Sequence, residues 1–134
     1  MSMLDKIDKK IISVVPFALL TLTVALLSSQ PPMYDFNAIF TGFDKIIHFV
    51  VYFAYGISIQ ILSFSNFEKL SFRNNLLLSF FIGISIAISD EIYQSLQPGR
   101  FSSVWDFFAD MAGILISLFP AKKIYIFLKL SSKK

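Results

Sequence analysis

The chain contains no cysteine and a single histidine, and only 16% of its residues are charged. Without cysteine there are no disulfides, thiolate metal centres or cysteine nucleophiles, and the redox character of the compartment leaves no trace in the sequence. The charge is well short of the roughly 25% found in soluble domains, and a soluble globule of this size has too much surface to cover with so little of it. At 134 residues the chain is long enough for one domain and too short for a multidomain machine. There is no Gly-x-Ser-x-Gly nucleophile elbow: Gly83-Ile84-Ser85-Ile86-Ala87 resembles it only loosely, inside an apolar run. No internal repeat and no low-complexity linker is present.

What the chain does have is apolar length. Hydrophobic residues make up 55% of it, and the mean hydropathy is +0.67. Four nearly uncharged runs cover residues 11–28, 46–64, 76–93 and 104–119. About 20 apolar residues at 1.5 Å each cross the hydrocarbon layer, so each run reads as a membrane-spanning helix. The expected fold is an all-α membrane protein, a four-helix transmembrane bundle in one integral domain over residues 1–134. Residues 121–134 follow Pro120 and mix Ile124, Tyr125 and Phe127 with lysines, the pattern of an interfacial extension.

The basic residues set the expected orientation. Lys6, Lys9 and Lys10, then Lys69 and Arg73, then Lys122, Lys123, Lys129, Lys133 and Lys134 fall on one side of the bundle. Only Lys45 and Arg100 fall on the other, which puts both termini in the cytoplasm. The net charge of +3 builds no separate basic face, so nucleic acid is not an expected partner. The Leu-Leu-Ser-Ser-Gln at the end of the first run is a poor signal-cleavage site, so an uncleaved helix is expected there. Pro16 is placed in the first turns of that helix, and Gln30-Pro31-Pro32 is expected to end it. Thr41 to Asp44 and Ser103 to Asp106 both fit a capping box with Asp in place of Glu, and Trp105 reads as an interface anchor.

The acids carry more information than the bases. Asp35, Asp44, Asp90, Glu91, Asp106 and Asp110 all fall in the outer loops or the outer turns of the helices, and so does His48. A carboxylate inside the bilayer is costly, so those within helices should face the bundle or water. Asp44, His48 and Tyr52 recur every four residues, with Tyr55 next along the face. Asp90 and Gln94 share a face with Glu91 beside them, and Asp106, Asp110, Gly113 and Ser117 share another. Gly83, Ala87 and Gly113 allow close helix approach beneath these stripes. Gln97-Pro98-Gly99-Arg100 reads as a tight turn that aims a guanidinium back over them.

The strings Asp44-Lys45-Ile46-Ile47-His48-Phe49, Ser89-Asp90-Glu91-Ile92-Tyr93-Gln94-Ser95-Leu96-Gln97-Pro98-Gly99-Arg100 and Asp106-Phe107-Phe108-Ala109-Asp110 through Gly113 resemble those of the VanZ-like family. These are small bacterial membrane proteins named for an accessory factor in teicoplanin resistance. The resemblance covers about residues 44 to 117 and implies a multi-pass protein of the bacterial cytoplasmic membrane. It implies no settled reaction. Two positions depart from the family pattern, which more often has Asn where Asp110 stands and Gly where Ser117 stands. The additional carboxylate at 110 is expected either to raise a neighbouring pKa or to favour a cation, so that the family's polar site need not carry over unchanged.

Three functions fit these residues. In the first, a pocket of Asp44, Lys45, His48, Asp90, Glu91, Gln94, Arg100, Asp106 and Asp110 binds an outer-leaflet amphiphile, with Arg100 and Lys45 gripping an anion and the acids orienting it. Membrane lipids, a lipid-linked cell-wall precursor or a lipoglycopeptide are the expected partners. In the second, the same pocket is a hydrolase or transferase site for a lipid-linked head group, with His48 or Glu91 as general base or acid. In the third, the bundle is a small subunit of a larger membrane complex. Set against all three is a structural reading in which Lys45, His48 and Arg100 neutralise the carboxylates and pin helix ends together. The carboxylates suit Mg²⁺ or Ca²⁺, but no metalloprotease or EF-hand spacing is present, so neither a metal nor another cofactor is expected.

Overall fold

The computed structural model describes residues 3–29, 42–100 and 103–131. Among these the chain forms five helices and no strand: α1 (Met3–Ser29), α2 (Phe43–Asn66), α3 (Phe72–Ser95), α4 (Val104–Ser117) and α5 (Ala121–Ser131). Gln30-Pro31-Pro32, Asp35, Thr41 and the last three residues lie outside the described residues.

The first three helices overrun their apolar runs, extended at their ends by polar residues, whereas α4 stops two residues short of its run. The first is the clearest case. It begins at Met3, so Pro16 sits in mid-helix and not in the first turns. Its missing N–H costs one backbone hydrogen bond, and the helix continues through it. At α2 the N-cap is Gly42, at φ 89°. The left-handed backbone of this glycine starts the helix, and the Thr41 of the expected capping box lies outside the described residues. At α4 half of the expected box forms: the Ser103 side chain accepts from the Trp105 amide at 3.2 Å. Asp106 turns away to Lys45. Ser71 caps α3 by accepting from the Asn74 amide at 3.2 Å.

Three helical segments, Lys10–Ser29, Phe43–Asn66 and Phe72–Ser95, are long and apolar enough to cross a membrane. The expected fourth span is a different object. At 14 residues α4 reaches only about 21 Å, short of a hydrocarbon core of about 30 Å. It passes the length test only together with α5, to which it is bent by 48°. Pro120 stands in the break, where its ring does not continue a helix. The segment expected to be an interfacial extension, α5, also packs back against the bundle. Tyr125 packs its ring 5.3 Å from Phe64 and 5.3 Å from Phe72, which docks α5 onto α2 and α3.

The radial distribution of polarity is that of a membrane protein. Leu19, Leu22, Phe81 and Trp105 are exposed on the outside, while Ser58, Gln60, Ser63, Asn75, Ser79 and Ser117 are buried. Those buried groups find one another: Ser63 Oγ donates to Asn75 Oδ1 at 2.7 Å, and Gln60 Nε2 donates to the Ser117 carbonyl at 2.8 Å. In lipid an exterior leucine loses nothing, so the helices are held by close packing and internal hydrogen bonds. The protein is a multi-pass membrane protein built on α2, which touches every other helix and α4 most extensively.

Small residues allow that contact. A Cβ on Gly113 would lie 2.5 Å from the Phe49 carbonyl oxygen and 2.8 Å from the Phe53 amide, so α4 lies backbone to backbone on α2. Gly56 meets Ser117 across the same seam, and Gly83 of α3 meets the side chain of Ile114. The core between them is Tyr52, Tyr55, Ala87 and Ile114.

Candidate functional site

The ends of α1 and α3 and the starts of α2 and α4 meet at one end of the bundle, and the ionisable residues gather there in three groups. In the first, Lys45 bridges two helices. Its ammonium donates to Asp44 Oδ2 at 2.6 Å on its own helix and to Asp106 Oδ1 on α4. Asp106 is buried and Lys45 about a third exposed, so the ammonium stays in reach of water while neutralising the carboxylate.

The second group centres on Asp90. Its Oδ1 accepts from Ser28 Oγ of α1 at 2.5 Å, and its Oδ2 accepts from Tyr52 of α2 at 3.0 Å and from Gln94 Nε2 at 2.9 Å. One carboxylate thus ties α1, α2 and α3 together. Arg100, after the turn at Gly99 (φ 79°), donates to the Leu27 carbonyl and to Gln94 Oε1 at 3.0 Å. It supplies a donor to the end of α1, where backbone carbonyls lack intrahelical partners. The guanidinium does come back over the stripes, but its mapped hydrogen bonds go to α1 and α3, whereas Lys45 serves α2 and α4.

The third group is His48, Glu91 and Asp110. His48 Nδ1 lies 2.9 Å from Asp110 Oδ1, and Asp110 is completely buried. Glu91 reaches in from α3, and one ligand atom from each of the three residues lies within 4.8 Å of the others. Both Glu91 carboxylate oxygens and Asp110 Oδ2 are shut off from solvent with no hydrogen-bond partner among the described residues. This is the one group in which an imidazole and two carboxylates from three helices face a common point.

The stripes read from the sequence are present as faces: Asp106, Asp110, Gly113 and Ser117 are all buried on α4. The part of the site that periodicity did not reveal comes from α1. Ser28 holds Asp90, Ser29 Oγ meets the Tyr93 hydroxyl at 2.9 Å, and Thr21 Oγ1 meets the Tyr55 hydroxyl at 2.7 Å. The only signal for them was hydroxyl residues within an otherwise apolar helix.

Comparison with protein families then bears directly on these residues. A model of the VanZ/LLP1 family matches residues 2–128, nearly the whole chain and every candidate site residue. The chain belongs to the VanZ/LLP1 family. Neither the curated proteins nor the solved structures give a match. For this VanZ/LLP1 protein the strings Asp44 to Phe49, Ser89 to Arg100 and Asp106 to Gly113, far apart in the chain, are therefore read together at one end of the bundle.

Proposed function

We propose that this VanZ/LLP1 protein is an envelope protein of the bacterial cytoplasmic membrane, with both termini in the cytoplasm, that binds the polar head of an outer-leaflet amphiphile. The observation carrying this reading is that ionisable residues of α2, α3 and α4 share one end of the bundle, away from Lys69, Arg73 and the lysines of α5. Positive-inside logic makes that end extracytoplasmic. Ionisable groups held within a membrane protein are costly and mark function more often than scaffold. Lys45, a third exposed, is the cation best placed to meet an anionic head group; Arg100 holds the end of α1 and orders the rim. A lipid-linked cell-wall precursor or a lipoglycopeptide has the required chemistry, a charged head on an apolar anchor.

The test is thermal unfolding in nanodiscs in the presence of a chelator, with lipid-linked precursor or lipoglycopeptide added and phosphatidylglycerol as the control. A rise in Tm specific to one of the first two, reduced in Lys45→Ala, is the expected result. No ligand-specific rise in the wild-type protein overturns the reading.

A second reading is favoured by the His48–Asp110 contact at 2.9 Å, the arrangement in which a carboxylate orients an imidazole for proton transfer. It makes the same end a site for hydrolysis or transfer on a lipid-linked head group. Turnover of labelled substrate that is unchanged in His48→Ala and Glu91→Gln would dismiss it.

A further inference from the structure

The carboxylates at this end of the bundle are treated very differently by the fold. Asp90 receives three donors, from Ser28, Tyr52 and Gln94. Asp106 receives an ammonium. Glu91 receives no hydrogen bond among the described residues, although both of its oxygens are shut off from water, and Asp110 Oδ2 is in the same condition on a completely buried residue. An unmet carboxylate oxygen in a dry interior is expensive, and the helices that satisfy Asp90 so fully have left these three oxygens unmet on two residues whose nearest ligand atoms lie within 4.8 Å of each other and of His48. His48 is the single group beside them able to carry positive charge, and even charged it balances one carboxylate of two.

We propose that His48, Glu91 and Asp110 form a binding site for a divalent first-row transition cation, Zn²⁺ or Mn²⁺. The donor set is one imidazole nitrogen with two carboxylate oxygens. Mg²⁺ and Ca²⁺ favour oxygen donors alone and make no use of the imidazole, whereas zinc and manganese accept the mixed set. The spacing fits after a small contraction. Donors bonded to one ion at about 2.1 Å stand about 3 to 3.4 Å apart. The His48 Nδ1 to Asp110 Oδ1 separation is already 2.9 Å, and the limit across all three residues is 4.8 Å. The remaining movement falls to Glu91, whose three side-chain torsions near the end of α3 supply it without shifting a backbone. The helices that carry the other two donors are locked by the Gly113 seam, so the half-site of His48 and Asp110 is preorganised. Three protein donors leave coordination positions open towards the rim, where water or an anionic group of a ligand completes the sphere.

This inference stands apart from amphiphile binding, and the probe is the metal alone. Purified protein in nanodiscs, stripped with chelator and desalted, is titrated with Zn²⁺, Mn²⁺, Mg²⁺ and Ca²⁺ by calorimetry and thermal unfolding. Glu91→Gln is the decisive variant, because it replaces a carboxylate that takes part in no hydrogen bond among the described residues and so leaves the fold intact. The expected result is saturable binding of about one Zn²⁺ or Mn²⁺ per chain with a rise in Tm, at least ~10-fold weaker in Glu91→Gln. Stripped Glu91→Gln should meanwhile be no less stable than stripped wild type. X-ray absorption of the loaded protein should show imidazole scattering that disappears in His48→Ala. Failure of folded wild type to bind either ion overturns the proposal. So does unchanged binding in Glu91→Gln, or equal binding of Mg²⁺ and Ca²⁺.

Discussion

Gly113 of α4 rests on the backbone of α2 at Phe49, so close that a single added carbon would stand 2.5 Å from the Phe49 carbonyl oxygen. One turn towards the rim from that contact, His48 and Asp110 come within hydrogen-bonding distance. The geometry of the site therefore depends on a glycine that takes no part in its chemistry.

Gly113→Ala should consequently loosen the α2–α4 seam and disturb the site at the same time. Overpacking against a backbone that has no rotamer to yield is expected to destabilise by about 1–3 kcal/mol. Gly83→Ala is the internal control, because there the new methyl meets only the Ile114 side chain, which can shift. Unfolding in mild detergent compares the two; equal stability of Gly113→Ala and wild type would show that α2 and α4 are not in backbone contact.

The Lys45–Asp106 pair should behave as a coupled unit. Lys45→Met leaves a buried carboxylate without its ammonium and is expected to cost about 1–3 kcal/mol. Adding Asp106→Asn should recover at least half of that loss, since the coupling of contacting residues is of this size. Additive losses in the double variant would mean that the ammonium does not neutralise Asp106.

Asp90 should be the costliest polar position at this end. Tyr52→Phe removes one hydrogen bond and is expected to cost about 0.6 to 1.7 kcal/mol. Asp90→Ala strips the acceptor from Ser28, Tyr52 and Gln94 together and should cost about 2 kcal/mol or more. The same unfolding measurement ranks them, and an Asp90→Ala loss no larger than that of Tyr52→Phe would remove Asp90 as the tie between α1, α2 and α3.

The absence of cysteine makes the topology directly measurable. Pro98→Cys should react with a membrane-impermeant maleimide in intact cells, and Lys69→Cys only after permeabilisation. The reverse pattern would invert the orientation and move the ionisable end to the cytoplasm.

Much of this was legible from local pattern. A shortage of charge together with apolar runs of span length determined that the chain is helical and lives in a membrane, because lipid admits few other ways of satisfying a backbone. Four-residue spacing determined which residues share a face, because a helix turns by a fixed angle per residue. The strings around Asp44, Asp90 and Asp106 were sufficient to suggest the family that the model over residues 2–128 bears out.

Pairing, by contrast, was decided by tertiary structure. Periodicity says that Asp90, Glu91, Asp106 and Asp110 face inward, yet not that Asp90 is saturated by donors while Glu91 has none among the described residues. Those outcomes depend on which residue of a neighbouring helix stands opposite, and hence on axial offsets of a few ångströms set by Gly56, Gly83 and Gly113. The break at Pro120 is similar. A proline announces that a helix stops, but the 48° bend of α5 back onto Phe64 and Phe72 is set by the aromatic rings it meets there. Spacing along one helix is a property of the chain alone; register between helices belongs to the packed whole.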